Sequence, residues 1–221
     1  MKPVLCALGA LAAAAGAASA QNNQLSAQSA VVQSVSANDM IAILQSAGLQ
    51  AALVHEDGDG TKTIEAAAEG STVYVALRAC AGAGAAAPCA LVQPFGFFNG
   101  QGVTLGQVNE FNINVSGIST AGLLNDNRGV MAMKMYLNGG VSAENLFYSL
   151  AVFFSDISRL LGAIKPGVVA QISYEPTAAA AGAGVDLPAG DYRVNATGAA
   201  AAGLMTPQIR AALETGGKIR N

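Results

Sequence analysis

The sequence predicts an α+β domain: an antiparallel sheet packed against helices in the order α-β-β-β-β-α-β-β-α, ahead of a loosely ordered tail rich in Ala and Gly. Three observations predict it. Between Leu49 and Phe98 the chain breaks into short β-prone runs separated by Gly and Asp turn chemistry. Ser36, Thr104 and Ser142 each stand where a side chain caps a helix start. Beyond Lys165 the composition drifts into Ala/Gly tracts at 178–184 and 199–203.

Residues 1–20, MKPVLCALGALAAAAGAASA, carry one positive charge at Lys2, an apolar run, and Ala18-Ser19-Ala20 ahead of Gln21. This is the pattern of a secretory signal peptide cut after Ala20, so the expected location is periplasmic or secreted. The run is short and rich in Ala and Gly for a bilayer span, and no stable membrane span is expected. Cys6 falls within the leader. Residues 21–35 read as a flexible lead-in, 36–164 as the α+β domain, and 165–221 as the tail.

Each element has its own warrant. Ser36-Ala37-Asn38-Asp39 supplies capping side chains and an acidic first turn, after which Met40, Ile43, Leu44 and Ala47 recur at helical spacing. Gly48 ends that helix, with Leu49 placed to fold back. Strands are expected at Leu49–His55, Thr61–Ala67, Thr72–Arg78 and Cys89–Phe98, with turns at Glu56–Gly60 and Glu69-Gly70. Val73, Val75 and Leu77 alternate with Tyr74, Ala76 and Arg78, which gives one apolar face. Pro94 cannot donate to a ladder and points to an edge position or a bulge.

A short helix capped by Thr104 should turn Leu105, Val108 and Phe111 inward. Strands Ser116–Leu124 and Val130–Leu137 flank a turn-rich connector. Ser142 then caps the longest helix, roughly Ala143 to Leu161, ended by Gly162 and Pro166. Its apolar face is doubled. Leu146, Leu150, Phe153, Ile157 and Leu160 form one row, and Phe147, Ala151, Phe154 and Leu161 a second. A deep helix within the chain accounts for two rows, and so does a dimer or partner surface. In the tail, strands at Val168–Glu175 and Asp191–Asn195 and a helix from Thr206-Pro207 to about Thr215 are expected.

Charge and chemistry narrow the function. With Lys2 removed, the net charge is about −4. No basic patch is present, which argues against nucleic acid or anionic lipid as a partner. In the stretch RACAGAGAAAPCAL, Cys80 and Cys89 bracket eight residues of Ala, Gly and Pro. In an oxidising compartment a structural bridge is the expected pairing, with two free thiols as the alternative. A zinc site fails on ligand count, since His55 is the one histidine.

HEDGDG, from His55 to Gly60, has a calcium-loop look, but position 12 falls on Ala66 where a bidentate Glu is required, so it reads as a turn. GxSxG, HExxH and a phosphate-binding glycine motif are lacking. No catalytic residue, metal or cofactor is assigned. Met131, Met133 and Met135 share one face of a strand; a core face explains them, and so does an adaptable binding surface. Together with Phe147 and Phe154 they make the candidate partner surface.

Four strings taken together, SANDMIAILQSAGLQAALVHEDGDG, VALRAC followed by CAL, GVTLGQVNEFNIN, and NGGVSAENLFYSLAVFF, resemble the YbjN-like family over about residues 36–162. That family has been proposed to act as bacterial sensory transduction regulators. The resemblance implies a fold like that of type III secretion chaperones, a sheet covered by helices, dimerisation, and a regulatory or chaperone-like role with no catalytic residues to carry across. Asn109, Glu110 and Asn112 match its VNEFN string and read first as exposed or helix-end polar groups. The leading function is a non-enzymatic envelope protein that binds a protein or peptide client, with a homodimer as a further expectation. The alternatives are a small-molecule sensor with a cavity between sheet and helices, and a hydrolase centred on His55.

Overall fold

The structure, a computed structural model, describes residues 31–68, 71–126, 128–164, 171–175, 191–195 and 205–216. The leader, the Glu69-Gly70 turn, Pro166, and the tracts 178–184 and 199–203 lie outside the described residues. Order begins earlier than the sequence suggests. β1 (Val31–Val32) pairs with β9 (Val141–Ser142), and Val35, buried, exchanges backbone hydrogen bonds with Cys89 at 3.0 and 2.9 Å. These β-branched residues at the end of the lead-in have a strand to pair with, so they belong to the domain.

α1 (Ala37–Ser46) opens on a reciprocal cap: Ser36 Oγ accepts the Asp39 N–H at 3.1 Å, and Asp39 accepts the Ser36 N–H at 3.2 Å. It closes at Gly48, φ 83°. There the Leu49 N–H reaches the Leu44 carbonyl and the Gly48 N–H reaches the Gln45 carbonyl. Glycine takes this left-handed turn without a Cβ penalty, and Leu49 folds back into the core as expected.

The sheet is antiparallel throughout. β2 (Gln50–Glu56), β3 (Lys62–Ala68), β4 (Ser71–Cys80) and β5 (Cys89–Asn99) form a meander, and β6 (Thr120–Leu123) and β7 (Arg128–Ala132) a hairpin, in the spatial order β2-β3-β4-β5-β7-β6. β5 is therefore an interior strand, against the edge position expected from Pro94. No bulge absorbs the proline either. β5 pairs Phe95 with Ala132 on β7 and Val92 with Met135 on β8 (Met135–Tyr136) in one unbroken register. Met133 donates its N–H to the Pro94 carbonyl at 3.1 Å, and the reciprocal bond is the one a proline cannot make. One missing donor divides what is otherwise a continuous strand.

Alternation gives the sheet two buried faces. Ile64, Val73, Val75, Leu77, Val92 and Met131 meet α1 and α3 (Ala143–Ile164) through Met40, Leu44, Leu146, Leu150 and Phe153. On the other face Tyr74, Ala76, Phe95, Phe97 and Val130 form a smaller cluster, with the Tyr74 and Phe95 rings stacked at 5.6 Å. β10 (Gln171–Glu175) and β11 (Asp191–Asn195) pair with each other and lie against β4 and β5.

By length and composition α3 could cross a bilayer. The core takes the first of its apolar rows and half of the second: Phe154 and Ala151 are as buried as Leu150, while Phe147 and Leu161 are half-buried. α2 (Leu105–Glu110) begins on a Thr104–Gln107 capping box and runs into a π turn at Phe111–Val115. Val108 and Phe111 are buried, but Leu105 is 66% exposed. Each step of three residues rotates the helix face by about 60°, so a helix seated on Val108 and Phe111 carries Leu105 off the stripe.

The tail expected to be loosely ordered contributes to the core. α4 (Pro207–Gly216) starts where the Thr206-Pro207 signal placed it, and its Ile209 is fully buried in the main cluster.

Candidate functional site: a groove beside the last two helices

The outward face of α3 forms the floor of a groove of about 750 Å³. Glu144, Asn145, Phe147, Tyr148, Ser149 and Val152 line it from α3, Ile118 from the loop after the π turn, and Gln208, Ala211, Ala212 and Thr215 from α4. The floor is set by helical geometry, since Tyr148 and Val152 lie one turn apart on the side away from Leu146 and Leu150. Ser142 fixes the helix start by accepting the Asn145 N–H at 3.1 Å.

A buried acid holds the first wall. Asp156, with no exposed surface, accepts the backbone N–H groups of Gly117, Ile118 and Ser119 at 3.1, 3.2 and 3.3 Å. Three converging donors compensate the desolvation of a carboxylate. The Arg159 guanidinium, largely in solvent, stands 3.8 Å away. The loop lies so close to the helix that a Cβ at Gly117 would stand 2.9 Å from Val152 Cγ1. Residues 116–119 are thereby committed to Asp156, which is why the strand expected from Ser116 begins only at Thr120.

The second wall is α4, held by its first turn. Thr206 Oγ1 accepts the Ile209 N–H at 3.3 Å and donates to the Ala47 carbonyl at the end of α1. One hydroxyl therefore satisfies an orphan donor of one helix and an orphan acceptor of another. Burying Ile209 contributes roughly 1.5–3 kcal/mol, and Ala212 and Leu213 are half-buried beside it.

Of the residues expected to make a partner surface, Phe147 lines this groove. The others do not. Phe154 is 1% exposed and packs edge-on against Phe153, while Met131 and Met133 are core residues beneath the helices and Met135 is half-buried. The methionine row is the sheet's inner face, and the second α3 row is largely inside the molecule. The sequence did not single out Ile118, Tyr148, Val152 or Asp156, and α4, though expected as a helix, was not expected beside them. The lone acid in VFFSDISRLL was a signal for Asp156, and the isolated Ile118 among Gly and Ser was one for the groove wall.

Cys80 and Cys89 stand directly opposite each other at the end of the β4–β5 ladder, with their sulfurs at bonding distance, 2.05 Å. The hairpin they close is tied to the β2–β3 turn. Lys62, fully buried, donates from Nζ to the Gly60 and Gly82 carbonyls at 2.9 and 3.1 Å, and Glu56 accepts the Gly84 N–H at 2.6 Å. HEDGDG is the turn its spacing suggested: Asp57 accepts from His55 at 2.8 Å, and Asp59 accepts the Thr61 N–H at 2.8 Å. That backbone hydrogen bond, with the Thr61 hydroxyl and the charge of Arg78, holds the Asp59 carboxyl below its usual range. Among the described residues no three His, Cys, Asp or Glu side chains stand together as a metal site.

The fold is α+β, with a trough between a pinned loop and a docked helix. Residues 36–165 match the family model YbjN, described as "Putative bacterial sensory transduction regulator", and the chain belongs to that family. No curated protein and no solved structure matches it.

Proposed function

We propose that this is an exported, non-enzymatic regulator that binds a protein or peptide client in the groove along α3. The groove itself carries the reading. From Glu144 to Val152 it follows the helix for about 12 Å at 1.5 Å per residue, with apolar Phe147, Tyr148, Val152 and Ile118 flanked by Glu144, Asn145 and Ser149. An elongated trough with an apolar floor and a polar rim suits a peptide segment, whereas compact ligands favour enclosure. The cavity between the sheet and α3, bordered by Val73, Phe98, Met131 and Leu160, holds about 20 Å³. That is room for about one water, which favours the groove over a sensor cavity in the core. The family description supports the regulatory role, and the leader pattern and the cysteine pair support export.

The test compares partner recovery from envelope extracts by the full chain and by a Tyr148→Asp, Val152→Asp variant shown to keep its circular dichroism and denaturation midpoint. Loss of the same partner from the variant is expected. Equal recovery overturns the reading. Mass spectrometry of the protein from its host, with and without reductant, should give an N-terminus at Gln21 and a mass lower by two hydrogen atoms before reduction.

A further inference from the structure

α4 lies beyond the segment that matches the family, residues 36–165, yet it supplies one wall of the groove. Its hold is partial. Ile209 is its one fully buried side chain among the described residues, Met205, Ala212 and Leu213 are half-buried against the core, Thr206 ties its start to Ala47, and Gln208, Arg210, Ala211, Glu214 and Thr215 remain exposed. Its fit is also loose. Towards the groove it presents Gln208, Ala211, Ala212 and Thr215, and about 750 Å³ is left beside these mostly short side chains.

We propose that α4 is an internal occupant of a helix-binding site on the family domain, displaced by an amphipathic helix of a partner protein. This rests on the groove being the client site. The partner's chemistry follows from what α4 does and fails to do. Its cap is best a Ser or Thr, because one hydroxyl oxygen both accepts an N–H of its own first turn and donates to the Ala47 carbonyl, which a carboxylate cannot do and an amide does only from two separate atoms. Three residues on it carries a branched aliphatic in place of Ile209. At the positions of Ala211 and Ala212 it carries bulky aliphatic side chains that fill the space α4 leaves over Phe147, Tyr148 and Val152.

The full chain is tested with a fluorescent peptide of residues 204–216 bearing Ala211→Leu and Ala212→Leu. Ile209→Asp in the protein should raise amide exchange across 207–216 and bind the peptide about tenfold tighter than wild type, because the site is no longer filled. The same peptide with Thr206→Val, or without the two leucines, should bind several-fold more weakly. Undiminished protection of 207–216 in Ile209→Asp, equal binding by both proteins, or no binding by either overturns the proposal. So does a wild-type dimer abolished by Ile209→Asp, which assigns the site to a second copy's α4. Peptide binding as expected, with client recovery unaffected by Tyr148→Asp and Val152→Asp, would retain the helix site and remove the proposed function.

Discussion

Asn112 and Ala121 exchange two hydrogen bonds as a pair of strands would. The Asn112 amide donates to the Ala121 carbonyl at 3.0 Å and accepts the Ala121 N–H at 2.8 Å. β6 is the edge of the sheet, so these are groups that would otherwise face outward unpaired. A side chain on the π turn stands in for the next strand. Asn112→Ala should therefore cost about 1–3 kcal/mol and promote self-association through the bared edge. Urea denaturation and sedimentation velocity would check both effects. An unchanged midpoint with a monomeric profile would show that water replaces the amide without loss.

Asp156 should matter more than any exposed acid. Asp156→Ala leaves the N–H groups of Gly117, Ile118 and Ser119 without their acceptor in a part-buried loop. Each such loss costs about 1–3 kcal/mol, so a drop of at least about 3 kcal/mol is expected, with the urea m-value unchanged. Asp156→Asn, which keeps one accepting oxygen, should lose less. Equal losses in the two variants would argue that side-chain volume at this position, and not the carboxylate, holds the loop.

What the sequence made legible, and what it did not, divides by range. The Ser36 and Thr104 caps, the Gly48 turn with Leu49 behind it, and the four strand runs between Leu49 and Phe98 are local chemistry, and each appears within a residue or two of its expected place, whereas the later hairpin is shifted and shortened to Thr120–Leu123 and Arg128–Ala132. The YbjN assignment was likewise carried by short strings. Pro94 was misplaced because its cost depends on which neighbour faces its nitrogen, and here that is the single residue Met133. Leu105 was misjudged because a face argument fixes a stripe but not its centre. The groove was illegible for a stronger reason: its lining comes from Ile118, Val152 and Ala211, which no local pattern relates.

The cysteine-closed hairpin and Lys62 should be energetically coupled. On the chain-entropy account, Cys80→Ala with Cys89→Ala removes roughly 2–3 kcal/mol for a loop of this length. Lys62 grips the Gly82 carbonyl inside that loop, so part of its contribution requires the loop to be closed. Lys62→Met in the wild-type background should then cost more than in the background without the cysteines. A double-mutant cycle would measure the difference, expected at about 0.5 kcal/mol or more. Strict additivity would mean that the ladder alone keeps Gly82 in place.

Asp59 should leave a mark on the acid limb of stability. Its carboxyl is held below the usual carboxylate range, first by the Thr61 backbone N–H and then by the Thr61 hydroxyl. A group depressed in the folded state stabilises it fully above the unfolded value, and that contribution fades as pH falls through the folded value. Asp59→Asn keeps an accepting oxygen but no charge. The variant should trail wild type by a constant margin from about pH 7 to about pH 4, with the two converging at still lower pH. The side chain is exposed, so solvent screening keeps the margin small, and salt should shrink only the part owed to Arg78. Urea midpoints across this range decide it: parallel curves down to the acid transition would mean that the Thr61 hydrogen bonds are as strong to an amide as to a carboxylate.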